Sequence, residues 1–256
     1  MKTSILLLAV GLAAIPTWAA GPADEVKAAA QKLADQPNYS WTTKSESAQA
    51  QGGGGGRFGG GGGGNSEGKT EKDGYTWLTF KQGENTTEAA RKGDKVAVKS
   101  GADWKTPEEL ADGAANDANG GGRGNRGQFL ARRVQQAKAP AAEAQEILGR
   151  VAALKKDGDA LAGDLSSDGI KQMMSFGGRP GGGNADGPDT SGIKGTAKFW
   201  IKDGVLAKYE THVEGKMKGR QDREFDVNRT TTVEIKDVGS TKLDVPAEAK
   251  KKLTKN

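Results

Sequence analysis

The segment GTAKFWIKDGVLAKYETHVEG (residues 195–215) decides the fold, together with EFDVNRTTTVEIK (residues 224–236). Both segments alternate apolar and polar side chains, which is typical of antiparallel strands with one buried and one solvated face. The two segments hold three such runs, separated by turns, so they predict a meander of three strands. The predicted buried face comprises Ala197, Phe199, Ile201, Val205, Ala207, Tyr209, Val213, Phe225, Val227, Thr231, Val233 and Ile235.

The turn between the first two strands contains Asp203 and Gly204, and its length can be predicted from the register. A two-residue loop would place Lys208 opposite Phe199 on the buried face, whereas a three-residue loop pairs Phe199 with Ala207. Because a slip of one residue turns every side chain to the other face, the apolar pattern favours the three-residue loop. In such a loop Gly204 takes the left-handed conformation, which costs glycine nothing sterically.

The N-terminal segment, residues 1–19, has the features of a cleaved secretory signal. Lys2 gives it a basic head, and the apolar run Ile5–Ile15 is too short to cross a bilayer. Ala19 is a small residue at the position that a signal peptidase reads, so we expect the mature chain to begin at Ala20. A retained anchor is the alternative. Cleavage predicts a periplasmic or secreted protein with no integral membrane segment.

Three glycine-rich tracts, residues 51–66, 113–126 and 177–192, hold 23 of the 40 glycines in the chain. They carry too little apolar surface to offset the entropy of ordering them, so we predict disordered insertions within a single domain, residues 20–256. Their arginine–glycine steps resemble RNA-binding segments. The tracts contain few arginines, however, and the net charge of +5 comes from interspersed charges of both signs, so no nucleic acid partner is expected.

The remaining periodicity predicts further helices and strands around the meander. Thr106, Pro107 and Glu109 form the pattern of a capping box at the start of a short helix, and Ser166 is a candidate cap for another. Helices are predicted at residues 23–34, 128–137 and 140–155, with a closing helix after Pro246. Strands are predicted at residues 39–44, 75–80, 95–99, 159–165 and 241–245.

The side chains available for catalysis are few. His212 is the only histidine and cysteine is absent, so thiol nucleophiles are excluded and a Ser-His-Asp arrangement would have to use His212. A two-histidine zinc site is excluded, and no glycine tract opens a helix directly after a predicted strand, as a phosphate loop does. We therefore predict a protein that is not an enzyme and uses no cofactor or metal, with His212 solvated on the polar face of its strand.

The hairpin also carries a family resemblance. Its glycine, tryptophan-containing strand, Asp-Gly turn and following strand resemble the periplasmic lipoprotein-carrier superfamily, which includes LolA, RseB and the mycobacterial LppX-type lipoproteins. The segment 227–239 is also similar to exported bacterial proteins of uncharacterised function. The resemblance implies an α+β fold, in which a strongly curved antiparallel sheet (an incomplete β-barrel) has helices packed on its concave face and acyl chains between them. The lipidating cysteine of the LppX-type proteins is absent here, and the glycine tracts have no counterpart in them. The matching residues are Gly195, Phe199, Trp200, Asp203, Gly204 and Tyr209.

Two functions remain open at this point. The first is an exported, soluble, non-enzymatic envelope protein that binds a lipid or a lipoprotein acyl chain between sheet and helices. The second is a structural or protein-interaction module of the envelope, with a filled core, no small ligand and an envelope protein as its partner. For the first we predict an apolar ligand site formed by Phe199, Ile201, Tyr209, Val227 and Val233 of the sheet and by Ile170, Met173, Met174 and Phe176 of a helix.

Overall fold

The computed structural model describes residues 21–47, 65–82, 84–116, 123–175, 189–218 and 224–254. Within these residues the chain forms six helices and an eleven-stranded sheet. The helices are α1 (Pro22–Ala34), α2 (Pro107–Asn116), α3 (Arg123–Gln136), α4 (Pro140–Leu148), α5 (Ser167–Ser175) and α6 (Ala247–Thr254). The strands are β1 (Asn38–Ser47), β2 (Ser66–Glu71), β3 (Tyr75–Gln82), β4 (Asn85–Lys92), β5 (Lys95–Ser100), β6 (Asp103–Lys105), β7 (Lys155–Asp157), β8 (Ala160–Asp164), β9 (Asp189–Lys202), β10 (Val205–Lys218) and β11 (Glu224–Lys236).

All described strands belong to one antiparallel sheet. Its order is β6-β5-β4-β3-β2-β1-β11-β10-β9-β8-β7, so that two meanders meet where β1 pairs with β11. The edge strands β6 and β7 do not pair with each other, and the sheet is not closed into a barrel. The predicted α+β class with an incompletely closed antiparallel sheet is therefore confirmed.

The sheet has two faces, which helices cover differently. We call the face that carries Trp41, Leu78 and Phe199 the inner face, and the opposite one the outer face. Helices α1 to α5 contribute side chains to the apolar cluster on the inner face. Helix α6 instead packs on the outer face of β4–β6, through a separate cluster of Ala90, Ala97, Trp104, Val245, Ala249 and Leu253. Helix α6 therefore lies on the face opposite the other five described helices.

Helix α1 confirms its prediction closely. It begins after Gly21, whose N–H donates to Asp24 Oδ2 at 3.2 Å. Its apolar stripe is buried against α4 and β10. No described helix is long and apolar enough to cross a bilayer. The buried stripe is the predicted one: Val26, Ala29, Ala30 and Leu33.

The hairpin turn differs from its prediction. Asp203 and Gly204 both have positive φ, 55° and 74°, and form a two-residue turn between Lys202 and Val205. Such a turn matches the right-handed twist of the strands better than the longer loop does. A β-bulge at Ala207 then adds one residue to β10, which restores the apolar face.

Two further elements end differently from their predictions. The helix predicted at residues 140–155 stops at Leu148, because the chain beyond Gly149 turns to pair with the strand edge: Ala152 N donates to Asp164 O at 3.0 Å. Residues 155–157 then form β7 rather than helix. The strand predicted at 241–245 is irregular, although Val245 is buried under α6.

The ends of the predicted disordered insertions belong to helices and strands. Residues 113–116 continue α2, residues 123–126 begin α3, and Asp189–Gly192 pairs with β10 as part of β9. Alanines 114 and 115 favour the helical extension. The central parts of the three tracts lie outside the described residues. Strands β2, β4 and β6 were not predicted; β2 in particular is polar, and its Gly68 lies beneath the indole of Trp41.

Candidate functional site

The inner face of β1, β11, β10 and β9 is a grid, because the four strands pair without interruption between the two register shifts of β10, near Ala207 and Met217. Residues opposite one another form rows that cross the sheet. The first row is apolar except for a threonine, the second is small or polar, and the third contains the charge of an arginine. The first row is Thr43, Val233, Tyr209 and Phe199; the second is Ser45, Thr231, Thr211 and Ala197; the third is Ser47, Arg229, Val213 and Gly195; the fourth is Val227, Gly215 and Ile193.

The predicted ligand-site residues fall into one apolar cluster, but in two different states. Four of them are buried: Phe199 is 0%, Tyr209 2%, Val233 2% and Ile170 4% exposed. Four others are only partly buried and pack against the cluster: Ile201, Val227, Met173 and Met174. The ninth, Phe176, lies outside the described residues.

The first row lies under a filled interior. Helix α1 packs across β10 and α4, and its Leu33 is fully buried, as is Leu206 beside the turn. Phe199 and Tyr209 face each other across β9 and β10 within this packing. At this end of the grid the apolar side chains act as core.

The third and fourth rows lie near α5. This helix follows Leu165, whose N–H donates to Gly195 O at 2.8 Å, and it packs on β9. A Cβ on Gly195 would come within 2.8 Å of Leu165 Cδ1, so only glycine allows this approach. Ser166 Oγ accepts from Gly169 N at 3.1 Å, confirming the predicted cap of α5. The helix thereby brings Met173 and Met174 into the cluster at partial burial.

Tyr209 forms a polar contact that the sequence analysis missed. Its hydroxyl donates to Glu143 Oε2 of α4 at 2.6 Å. Glu143 is partly exposed as a residue, but its carboxyl group is enclosed, and this burial raises its pKa, a shift that the Tyr209 hydrogen bond opposes. Burial is the main cause that raises the pKa of Tyr209 well above its usual range, and the nearby carboxylate of Glu143 raises it further. Because a buried tyrosine normally has a hydrogen-bond partner for its hydroxyl, the predicted burial of Tyr209 already indicated that a polar partner lies nearby.

Arg229 was also missed. It alternates with Val227 and Thr231, so it shares their inner face, whereas its neighbour Thr230 bonds His212 on the outer face. Burial lowers the pKa of the Arg229 guanidinium. No hydrogen-bond acceptor or carboxylate among the described residues contacts that group. An arginine in the inward phase of an alternating strand is a signal that the pattern of residues 224–236 contained.

His212 lies on the outer face, as predicted. Its Nδ1 is 2.9 Å from Thr230 Oγ1, and its Nε2 is 3.4 Å from Glu214 Oε2. The ring is partly exposed on a surface of alternating charges and threonines. Its contacts are those of a solvated cross-strand residue.

An open groove of about 800 Å³ lies elsewhere, where β6, α2 and α6 meet. Its lining is mostly charged, and Lys252 Nζ bonds Glu109 Oε1 within it. None of the predicted ligand-site residues contributes to it. Charged walls of this kind do not suit an acyl chain. The lining comprises Asp103, Trp104, Lys105, Glu109, Glu248, Lys251, Lys252 and Thr254.

Comparisons with known proteins give structural likeness only. No protein-family model matches the chain, and no curated protein matches it. Its structure is similar to that of lipoprotein LppX from Mycobacterium tuberculosis, at 11% identity and a TM-score of 0.45, over 87% of this chain and 97% of that one. It is also similar to LprF from Mycobacterium bovis, at 10% identity and a TM-score of 0.41, over 89% and 96% of the respective chains.

Proposed function

We propose that this is an exported, non-enzymatic envelope protein that binds the acyl chain of a lipid between helix α5 and the inner face of β9–β11. The observation that carries the proposal is the partial burial of Met173, Met174 and Val227 within the main apolar cluster. Apolar side chains that belong to a core yet stay partly accessible are the lining that an acyl chain would need.

The surface beneath α5 suits a flexible ligand. Gly195 and Gly215 contribute no side chains to the third and fourth rows, and the side chain of Leu165, just before α5, packs against Gly195. Methionine is unbranched and polarisable, and can repack around apolar groups of different shape. These properties favour one end of the grid, beneath α5, over the filled first row.

A structural module is the second candidate, and the filled first row favours it. Phe199, Tyr209 and Val233 are each at most 2% exposed, which leaves no room for a ligand beside them. In that case Met173 and Met174 complete the core, and the protein acts through a partner in the envelope.

One substitution separates the two candidates. In the acyl-binding case, Met173→Glu should abolish binding of a fluorescent fatty acyl probe while the fold survives, because a charge at an open site can still contact water. In the structural case the same change buries an unpaired charge and unfolds the domain. Gln172→Glu, at an exposed position of the same helix, is the matched control and should change neither property.

The two readouts are probe fluorescence and circular dichroism of each variant. A wild-type protein that binds no acyl probe would contradict the acyl-binding proposal and leave the structural module.

Export is part of the proposal and rests on the features of residues 1–19. We expect the exported protein to begin at Ala20. The intact mass of protein recovered from the envelope or medium measures this, and a species that keeps Met1 would contradict it.

A further inference from the structure

Arg229 is a partly buried, charged residue on the inner face of the grid. Across the sheet it lies opposite Val213 of β10 and Ser47 of β1, and along β11 its inner-face neighbours are Val227 and Thr231. Its position is fixed by the same register that buries Val233 and Val213. The arginine cannot turn to the outer face without shifting every other residue of β11.

The cost of this placement is not offset by any described group. Arginine stays protonated in proteins, so its burial removes water from a charge. Two other described arginines are matched: Arg91 donates to Gly93 O at 2.6 Å and to Ala137 O, and Arg150 lies 3.7 Å from Glu146. The guanidinium of Arg229 has no such acceptor among the described residues.

The surroundings of Arg229 are divided by polarity. On one side lies the second row, where Ser45 and Thr231 are hydrogen-bonded at 3.3 Å and Thr211 is buried. On the other side lies the fourth row, which is Val227, glycine and a buried isoleucine. Hydroxyls and a cation thus border an apolar row that continues to Ile193 of β9, the strand on which α5 packs.

We infer that Arg229 binds the acidic headgroup, a carboxylate or a phosphate, of the lipid whose acyl chain lies along Met173 and Met174. The inference rests on the proposed acyl-binding function and adds the class of lipid. A guanidinium presents N–H donors in a planar fork that matches the oxygens of either anion. The nearby hydroxyls can donate to the same oxygens, and a neutral headgroup would leave the cation unmatched.

The test compares two probes that differ only in the headgroup, a fluorescent fatty acid and the fatty alcohol of the same chain. We expect wild-type protein to bind the acid at least about tenfold more tightly than the alcohol, the effect of one charge-assisted hydrogen bond in a buried site. Arg229→Gln should remove this preference by weakening only the acid. Arg132→Gln changes an exposed arginine of α3 and is the matched control.

The melting temperature without ligand is a second measurement, and it distinguishes a ligand-binding arginine from one that only stabilises the fold. Because the guanidinium has no described partner, Arg229→Gln should melt at or above the wild-type temperature without ligand. A lower melting temperature together with an unchanged acid preference would assign Arg229 a structural role and overturn the inference.

The remaining outcomes are distinct. Equal binding of acid and alcohol by wild type would overturn the headgroup site and leave the acyl-binding function standing. Binding of neither probe would overturn both. Inorganic phosphate alone is the third arm: if it stabilises wild type but not Arg229→Gln while neither probe binds, the residue holds a free anion and the lipid assignment is wrong.

Discussion

The two ends of the sheet bury their strands in different ways. Strands β4 and β5 are covered on both faces, by α2 and α3 on the inner side and by α6 on the outer side. Strands β9–β11 are covered on the inner face, and their outer face carries charges and threonines. Consecutive residues are therefore buried in β5, at Val96, Ala97 and Val98, whereas buried residues alternate with more exposed ones in β9.

This difference shows how the sequence encodes the number of covering layers. The doubly covered strands use alanine where helices approach: Ala89, Ala90 and Ala97 are all 0% exposed. The singly covered strands use cross-strand polar pairs on the open side, such as Thr232 Oγ1 donating to Glu210 Oε2 at 3.0 Å. A continuous apolar run marks the first case and alternation marks the second.

The largest expected effect comes from placing a charge on the outer face at each end. Ala97→Lys puts an ammonium group between β5 and α6, and we expect it to lower the free energy of unfolding by more than about 3 kcal/mol or to prevent folding. Thr196→Lys, on the open outer face of β9, should change it by no more than about 0.5 kcal/mol. Urea unfolding measures both, and equal effects would mean that the two outer faces are equally covered.

The next effect tests the buried polar contact. Tyr209→Phe removes the hydroxyl that Glu143 accepts from, so we expect a loss of about 1–3 kcal/mol, the cost of an unmatched buried group. The matched control is Tyr75→Phe in the α6-side cluster, where the ring itself is the contact, with Lys92 Nζ 4.1 Å from its centroid. That control should cost less than about 0.5 kcal/mol. A small effect of Tyr209→Phe would mean that water replaces the hydroxyl.

The same contact makes stability depend on pH. Because burial raises the pKa of Glu143 in the folded state, its favourable contribution is complete below the unfolded-state pKa of about 4.3 and is lost as pH rises through the folded value. Glu143→Gln keeps an acceptor for Tyr209 but cannot titrate. We therefore expect wild type to lose stability relative to this variant as pH rises from about 4.3. Chemical unfolding across acidic pH measures the difference, and parallel curves would contradict the burial of the carboxyl.

The smallest effect concerns the turn that sets the register of the singly covered end. Gly204 has φ of 74°, so Gly204→Val should cost about 1–2 kcal/mol through left-handed strain. Asp203→Asn is the control, since asparagine tolerates positive φ. An unchanged denaturation midpoint for Gly204→Val would show that the hairpin can adopt another turn.

Local patterns predicted the elements that local physics determines. The stripe of α1 and the capping box at α2, where Thr106 N donates to Glu109 Oε2 at 3.0 Å and Glu109 N to Thr106 Oγ1 at 3.3 Å, both follow from residues a few positions apart. Likewise, the alternation of residues 195–236 was enough for the meander. The inner face of that meander was correctly assigned at Phe199 and Val233.

Elements that depend on distant partners could not be predicted in the same way. Strand β2 has a polar sequence and exists because it pairs with β1 and β3, with Gly68 making room for Trp41. The bulge at Ala207 shows another limit: the apolar pattern placed Phe199 opposite Ala207, whereas the structure pairs Phe199 with Tyr209, because the extra residue lies in the strand and not in the turn. The contact from Tyr209 to Glu143 joins residues 66 apart in the chain, and no periodicity relates them.

The strand order has a consequence for how the chain folds. Every neighbouring pair of strands in each meander is joined within its own half, whereas Ser40 and Lys236, which pair between β1 and β11, are 196 residues apart. Closing so long a loop costs conformational entropy before the ladder is formed, so we expect formation of this ladder to limit the folding rate. Ile235→Ala in the ladder and Leu78→Ala in the local β3–β4 hairpin should then both slow folding, because the hairpin is already formed when the ladder forms. Stopped-flow kinetics would contradict this if both changes acted on unfolding alone. If folding is slowed as expected, the protein is assembled from two locally formed halves that the β1–β11 ladder joins last.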